Sequence, residues 1–175
     1  MEIMQAIHAR QSCRNYTDEL ICEDALNDIL TAAKAAPVGM GAYGDLLITV
    51  IQNKELLARI DANAGAIMSR TNPMYGTPTL ILISSKLQDG DTAGVPYANA
   101  GCIAQNMMLA ATAHGYNSVY LWGAVAAMNH APEIVAELNL PEGYIPVSSI
   151  AVGKAAVPQE PKDRSASKLQ VTYIK

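Results

Sequence analysis

The chain has 175 residues, half of them apolar, with a formal charge of −4. That is enough chain for one domain with a substantial core, and the composition excludes an intrinsically disordered chain. The acidic balance speaks against nucleic acid or an anionic membrane as the main partner. No apolar run reaches the roughly 18 residues of a membrane span. The opening MEIMQAIHAR has no basic leader followed by an apolar stretch, so no signal peptide and a cytoplasmic protein are expected.

The first predicted element is a short helix over residues 2–9, with Ile3, Met4 and Ile7 on one face. After the linker RQSCRNYTDEL, residues 22–36 read as a second helix: Ala25, Leu26, Ile29, Leu30 and Ala33 recur at helical spacing and Pro37 ends it. The stretch GMGAYG (39–44) follows, then LLITVI (46–51), a buried strand by its branched apolar content. Asn53 is placed to cap a helix through KELLARIDANAGAIM. Turn chemistry in NPMYGTP (72–78) leads into a second buried strand, TLILISS (79–85).

Beyond a polar loop, residues 96–114 form the strongest helical signal, with Pro96 suited to its first turn and Gly115 to its stop. It is apolar or small nearly all round, which predicts a central helix with Met107 and Met108 in the core or at a subunit contact. NSVYLWG (117–123) reads as a third strand or its edge, 131–139 as a short helix and PVSSIAVG (146–153) as a fourth strand. A Pro-rich polar tail ends in KLQVTYIK, which alternates weakly like one more strand and could add to the sheet of another subunit.

GMGAYG spells G-x-G-x-x-G, the dinucleotide fingerprint. That motif binds pyrophosphate only where it leaves a strand and opens a helix. Here the order is helix, glycine loop, strand, so the helix N-terminus that would hold phosphate is missing. Two readings stay open: an αβ connection using glycine for unusual backbone angles, or a loop whose backbone approaches a flat ligand closely.

Cys13, Cys22 and Cys102 form no C-x-x-C or zinc pattern and are expected as buried or reduced thiols; His8, His114 and His130 are scattered, and no metal site is expected. Charge is more telling. The chain has only 12 Lys and Arg residues, yet Arg10 and Arg14 flank Ser12 within five residues, and Lys162 and Arg164 alternate near the end. Such charge-assisted donors are what a phosphate monoester requires.

In these segments the chain resembles the FMN-dependent nitroreductase family. RQSCRNY is similar to its R-R-S-x-R-x-(F/Y) element, AAPVGMGAYGDLLITV to its A-P-S loop and strand, and YGTPTLILIS to its A-P-then-strand segment. NAGCIAQNMMLAATAHGYNSVYLWG resembles the central helix and the strand beyond it. LNLPEGYIPVSSIAVGKA with PKDR resembles the closing pattern. The match runs from about residue 3 to 164. Departures fall at Gly41, Tyr43 and Asp45, where the family usually has Asn, Gln and Trp.

The resemblance implies an α+β fold over a single domain, 1–175. Helices flank a mixed or antiparallel central sheet, and the homodimer carries a C-terminal arm (about 165–175) that embraces the partner. It implies that Arg10, Gln11, Ser12 and Arg14 contact the FMN phosphate, ribityl chain or pyrimidine edge, with Lys162 and Arg164 closing over the phosphate. Asn99 would face the flavin ring, and Tyr120, Leu121, Trp122 and Gly123 would run beside it. Pro37, Val38, Gly39, Met40 and Gly41 would reach in from the other subunit, so the glycines would serve a flavin rather than a pyrophosphate.

The implied activity is hydride transfer from NADH or NADPH to FMN and onward electron transfer to a small-molecule acceptor such as a nitroaromatic or quinone, by a ping-pong mechanism. No side chain need act as acid or base. Arg14 is the candidate for stabilising reduced FMN. Tyr43 and Tyr120 are candidate gates, and Cys13 lies between the two arginines. Other flavin chemistry on the same scaffold, or a non-catalytic flavin module, are the alternatives.

Overall fold

The computed structural model describes residues 1–160, 162 and 169–175. In chain order its elements are α1 (Ile3–Ala9), α2 (Glu23–Lys34), two 3-10 turns (Gly39–Gly41 and Tyr43–Asp45), β1 (Leu46–Ile51) and α3 (Lys54–Met68). They continue with β2 (Thr79–Lys86), a 3-10 turn (Gly90–Thr92), α4 (Val95–Ala113), β3 (Asn117–Tyr120), α5 (Trp122–Met128), α6 (Pro132–Glu137) and β4 (Tyr144–Gly153).

The strands make one antiparallel sheet in the order β1-β2-β4-β3, with Leu80 opposite Ala151 and Ile81 opposite Ile150. Both faces are covered, which is why β2 reads as a continuous apolar run instead of alternating. Leu80, Leu82, Val119 and Ala151 pack towards Leu57, Ile60, Val125, Met128 and Ile134 of α3, α5 and α6. Ile81, Ile83, Ile150 and Val152 pack towards Ile29 of α2 and Ile103, Ala104 and Met107 of α4. Each such Leu or Ile removed from water contributes about 1.5–3 kcal/mol.

The expected cap holds: Asn53 Oδ1 accepts the Leu56 N–H at 2.9 Å. Gly115 stops α4 with φ +76°. Met107 and Met108 are buried as expected.

One expectation is corrected. Residues 117–123 are not one strand: β3 ends at Tyr120, and Trp122 opens α5, a helix not anticipated from sequence. The helix formers in AVAAM outweigh the strand preference of Tyr120 and Trp122. The face Ile3, Met4 and Ile7 is exposed in the single chain, and only Ala6 of α1 is buried. Residues 169–175 form no strand within their own chain. Their Val171, Tyr173 and Ile174 are exposed, Ile174 at 97%.

Candidate functional site

The RQSCRNY segment leaves α1 extended and is stitched to two distant pieces of chain. Ser12 makes a parallel bridge with Ser118 of β3, and the Cys13 N–H donates to the Ser118 carbonyl at 3.0 Å. Tyr16 bridges Ala155, and the Thr17 N–H donates to the Lys154 carbonyl at 2.9 Å. The Ala156 N–H donates to Asn15 O at 3.0 Å, and Gln11 Nε2 donates to Glu160 O at 3.0 Å. Asn117 locks the return segment: its Oδ1 accepts the Ala155 N–H and its Nδ2 donates to Gln159 Oε1, both at 3.1 Å.

Between these segments lies an open cavity of about 520 Å³ whose wall includes Gln11, Ser12, Arg14, Gln159, Glu160 and Lys162. Two cations with hydroxyl and amide donors suit a phosphate monoester on a polar chain. The cavity thus unites Gln11, Ser12, Arg14 and Lys162, and Arg10 directly precedes it at the end of α1. Arg164 lies outside the described residues. The sequence reading missed Asn117 and Gln159, because nothing local marks a pair 42 residues apart.

Behind the cavity wall Tyr16 is buried, and its hydroxyl donates to Ala151 O at 3.4 Å. Burial pushes its pKa upward, the Cys13 thiol and the Tyr75 phenol add to this, and the Arg14 charge opposes it. Tyr16 therefore stays neutral and structural. Cys13 is likewise buried, with its thiol donating to Asn15 O at 3.3 Å. Cys22 and Cys102 are exposed free thiols.

The glycine loop sits elsewhere. The Gly39 N–H donates to Asn99 Oδ1 at 2.9 Å, so Asn99 of α4 anchors the loop. A Cβ on Gly39 would come 3.1 Å from Val95 Cγ1, and Gly41 needs its left-handed φ of +64°. Met40 shares that region at φ +56°. The Tyr43 hydroxyl donates to Ala36 O at 3.1 Å, and the Tyr144 hydroxyl donates to Gly44 O. Strand β1 follows with no helix between, so the stretch offers no helix N-terminus to a pyrophosphate.

Pro37–Gly41 and Asn99 lie at the N-terminal part of α4, whereas the cavity lies against β3, which begins just past the C-terminal end of that helix. At 1.5 Å per residue, Asn99 and Ala113 are separated by about 21 Å along the axis. Asn99 is brought to the glycine loop and not to the Arg14 cavity.

The last predicted group, Tyr120–Gly123, joins β3 to α5. Leu121 is buried; its N–H donates to Ser149 O at 2.9 Å, and Ser149 Oγ donates back to Leu121 O at 2.8 Å. That exchange turns Tyr120 and Trp122 outward, at 39% and 55% exposure. A Cβ on Gly123 would meet Met68 Cε of α3 at 3.0 Å, so the C-terminal end of α3 borders this segment.

The fold as a whole matches those of known proteins. A solved nitroreductase with bound FMN from Desulfitobacterium hafniense DCB-2 superposes with a TM-score of 0.84 at 27% identity, each chain covered in full. One with bound FMN from Bacteroides fragilis NCTC 9343 gives 0.81 at 26%, covering 99% of this chain and 100% of the other. The FMN reductase [NAD(P)H] of Bacillus subtilis strain 168 is 26% identical over 184 residues, 95% of this chain and 69% of its own length. The family model described as "Putative TM nitroreductase" matches residues 2–175. With that match spanning nearly every residue, the chain belongs to the nitroreductase family.

Proposed function

We propose that the protein is an NAD(P)H-dependent FMN oxidoreductase that delivers electrons to nitroaromatic, quinone or similar small acceptors. The observation that carries this reading is the convergence of Gln11, Ser12, Arg14 and Lys162 on one cavity. Arg14 and Lys162 neutralise a phosphate there, and Ser12 and Gln11 orient it and the polar chain attached to it. The bound flavin supplies the redox chemistry, accepting hydride from the nicotinamide and releasing electrons to the acceptor. Arg14, a permanent cation, favours reduction of a group that gains negative charge in this cavity. Tyr120 and Trp122 offer flat, exposed walls on which planar substrates stack.

The proposal includes a homodimer. Loop 37–41 and the Arg14 cavity stand near opposite ends of α4, so one chain does not close both around one mononucleotide. Two copies related by a two-fold axis across the middle of α4 bring each loop to the other's cavity. The exposed face of that helix carries Ala98 and Cys102, small enough for close approach, with Gln105 beside them. The exposed Ile3, Met4 and Ile7 and the terminal arm supply further apolar surface that a second copy covers.

The test is direct. Purified protein is expected to show flavin absorbance with one FMN released per chain, and NADH or NADPH is expected to bleach it. A colourless protein that takes up no FMN would refute the reading; flavin that neither dinucleotide reduces would favour a non-catalytic flavin module. In Arg14→Gln the midpoint potential of the bound flavin is expected to fall by about 30 mV, a tenfold change in the two-electron equilibrium. An unchanged potential would remove Arg14 from that role.

A further inference from the structure

The segment between α3 and β2 lines no part of the cavity described above, yet its backbone is unusual. Ser69, Asn72 and Tyr75 all take left-handed φ, at +50°, +48° and +61°, and none is glycine. Such strain persists only where the surroundings enforce it. The enforcing contacts are evident. The Met74 N–H donates to Asp61 Oδ1 at 2.7 Å, and the Tyr75 N–H to Asn72 O at 3.0 Å. The Arg70 N–H donates to Gly65 O at 3.0 Å. A Cβ on Gly65 would stand 2.8 Å from Arg70 O, so the chain closes tightly against the helix there.

The result of this construction is one presented group. The Arg70 guanidinium carbon lies 5.1 Å from the centroid of the Tyr75 ring. Tyr75 packs on the apolar cluster that also holds Tyr16 and Leu121. Arg70 is exposed, and among the described residues no ion pair includes it. Stacking holds the guanidinium plane while leaving its edge donors open. Two residues earlier, Met68 borders Gly123, next to the exposed Trp122. The loop that carries the cation therefore leaves α3 where that helix borders Gly123, and it is a different loop from the one that supplies Arg14.

We propose that Arg70, held over Tyr75 in the loop that leaves α3 next to Gly123, is a specificity-determining residue that recognises a phosphate or carboxylate on an incoming donor or acceptor. The inference rests on the flavin oxidoreductase reading and deepens it by naming the chemistry that is selected. A planar fork matches both anions in two-pronged fashion. Pre-orientation on the ring reduces the side-chain freedom lost on binding.

The experiment compares FMN-loaded wild type with Arg70→Gln and Arg70→Lys. Steady-state constants are measured with NADPH and NADH as donors, and with 4-nitrobenzoate and the neutral 4-nitrobenzamide as acceptors. NADP+ and NAD+ affinities are measured by calorimetry. Arg70→Gln is expected to raise KM about tenfold for substrates bearing the recognised anion, to leave kcat and flavin content within about twofold, and to weaken dinucleotide binding if the anion is the donor's. Arg70→Lys is expected to recover part of the loss.

Loss confined to NADPH and NADP+ assigns the 2′-phosphate, equal loss for both dinucleotides the pyrophosphate, and loss confined to 4-nitrobenzoate the acceptor carboxylate. Unchanged KM and affinity throughout, or a common fall in kcat with loss of flavin, would overturn the proposal. A wild type without flavin would instead sink the underlying reading, so the two failures are distinguishable.

Discussion

Asn99→Ala tests the anchoring of the glycine loop most sharply. Asn99 is buried on α4, and its Oδ1 is the acceptor for the Gly39 N–H at 2.9 Å. The Gly39 amide points inward to this acceptor, on the side of the loop that faces α4. Removing the acceptor leaves a half-buried donor unmet, at a cost of about 1–2 kcal/mol. For a domain of this size that lowers Tm by about 3–6 °C. If loop 37–41 covers the partner's cavity, the same energy is spent re-ordering the loop when FMN binds, and affinity falls about tenfold. Thermal unfolding at fixed protomer concentration and quenching of FMN fluorescence read the two effects separately. Asn99→Asp keeps an acceptor oxygen and is expected to recover most of the loss. An alanine variant with wild-type Tm would refute the anchoring argument, and a lowered Tm with unaltered FMN affinity would refute the covering role of the loop.

Other expectations follow from single contacts. Gly65→Ala places a methyl 2.8 Å from the Arg70 carbonyl, a clash with backbone, and is expected to destabilise by about 1–3 kcal/mol in urea unfolding. Ile60→Ala, at a fully buried site of α3, is expected to cost about 2–5 kcal/mol by the same measurement. Tyr16 titrates higher in the fold than in the open chain, because burial disfavours its phenolate. Its neutral form is common to both states below the ordinary tyrosine pKa of about 10, and only the unfolded chain gains by ionising above it. Stability is therefore expected to decline as pH rises past that value, and Tyr16→Phe to flatten the decline. A variant with the same alkaline slope would assign the slope elsewhere.

Where the chain encodes structure locally, reading it in order succeeds. The apolar runs of β2 and β4, the Asn53 cap, the Gly115 stop and the all-round apolar α4 each depend on neighbours within a turn or a strand. The clustering of Arg10, Ser12 and Arg14 is also local, and so is the helix–glycine loop–strand order that argued against a dinucleotide fold. Tyr120–Gly123 shows where local reading fails. Tyr and Trp favour a strand, but β3 stops at Tyr120, the Leu121–Ser149 exchange fixes the next residue, and the alanines beyond start α5 at Trp122.

What the sequence alone determined was most of the elements, α5 excepted, and the residue types able to hold a phosphate, because propensity, caps and charge clustering act over a few residues. What only tertiary structure decided was company. Gln11 meets Glu160 across 149 positions, and Asn99 meets Gly39 across 60 and leaves the cavity to others. Arg70 is laid on Tyr75 by a strained turn whose closure depends on Gly65. Such partners are chosen by how the sheet and α4 bring remote segments together, and a linear string carries no local mark of that choice.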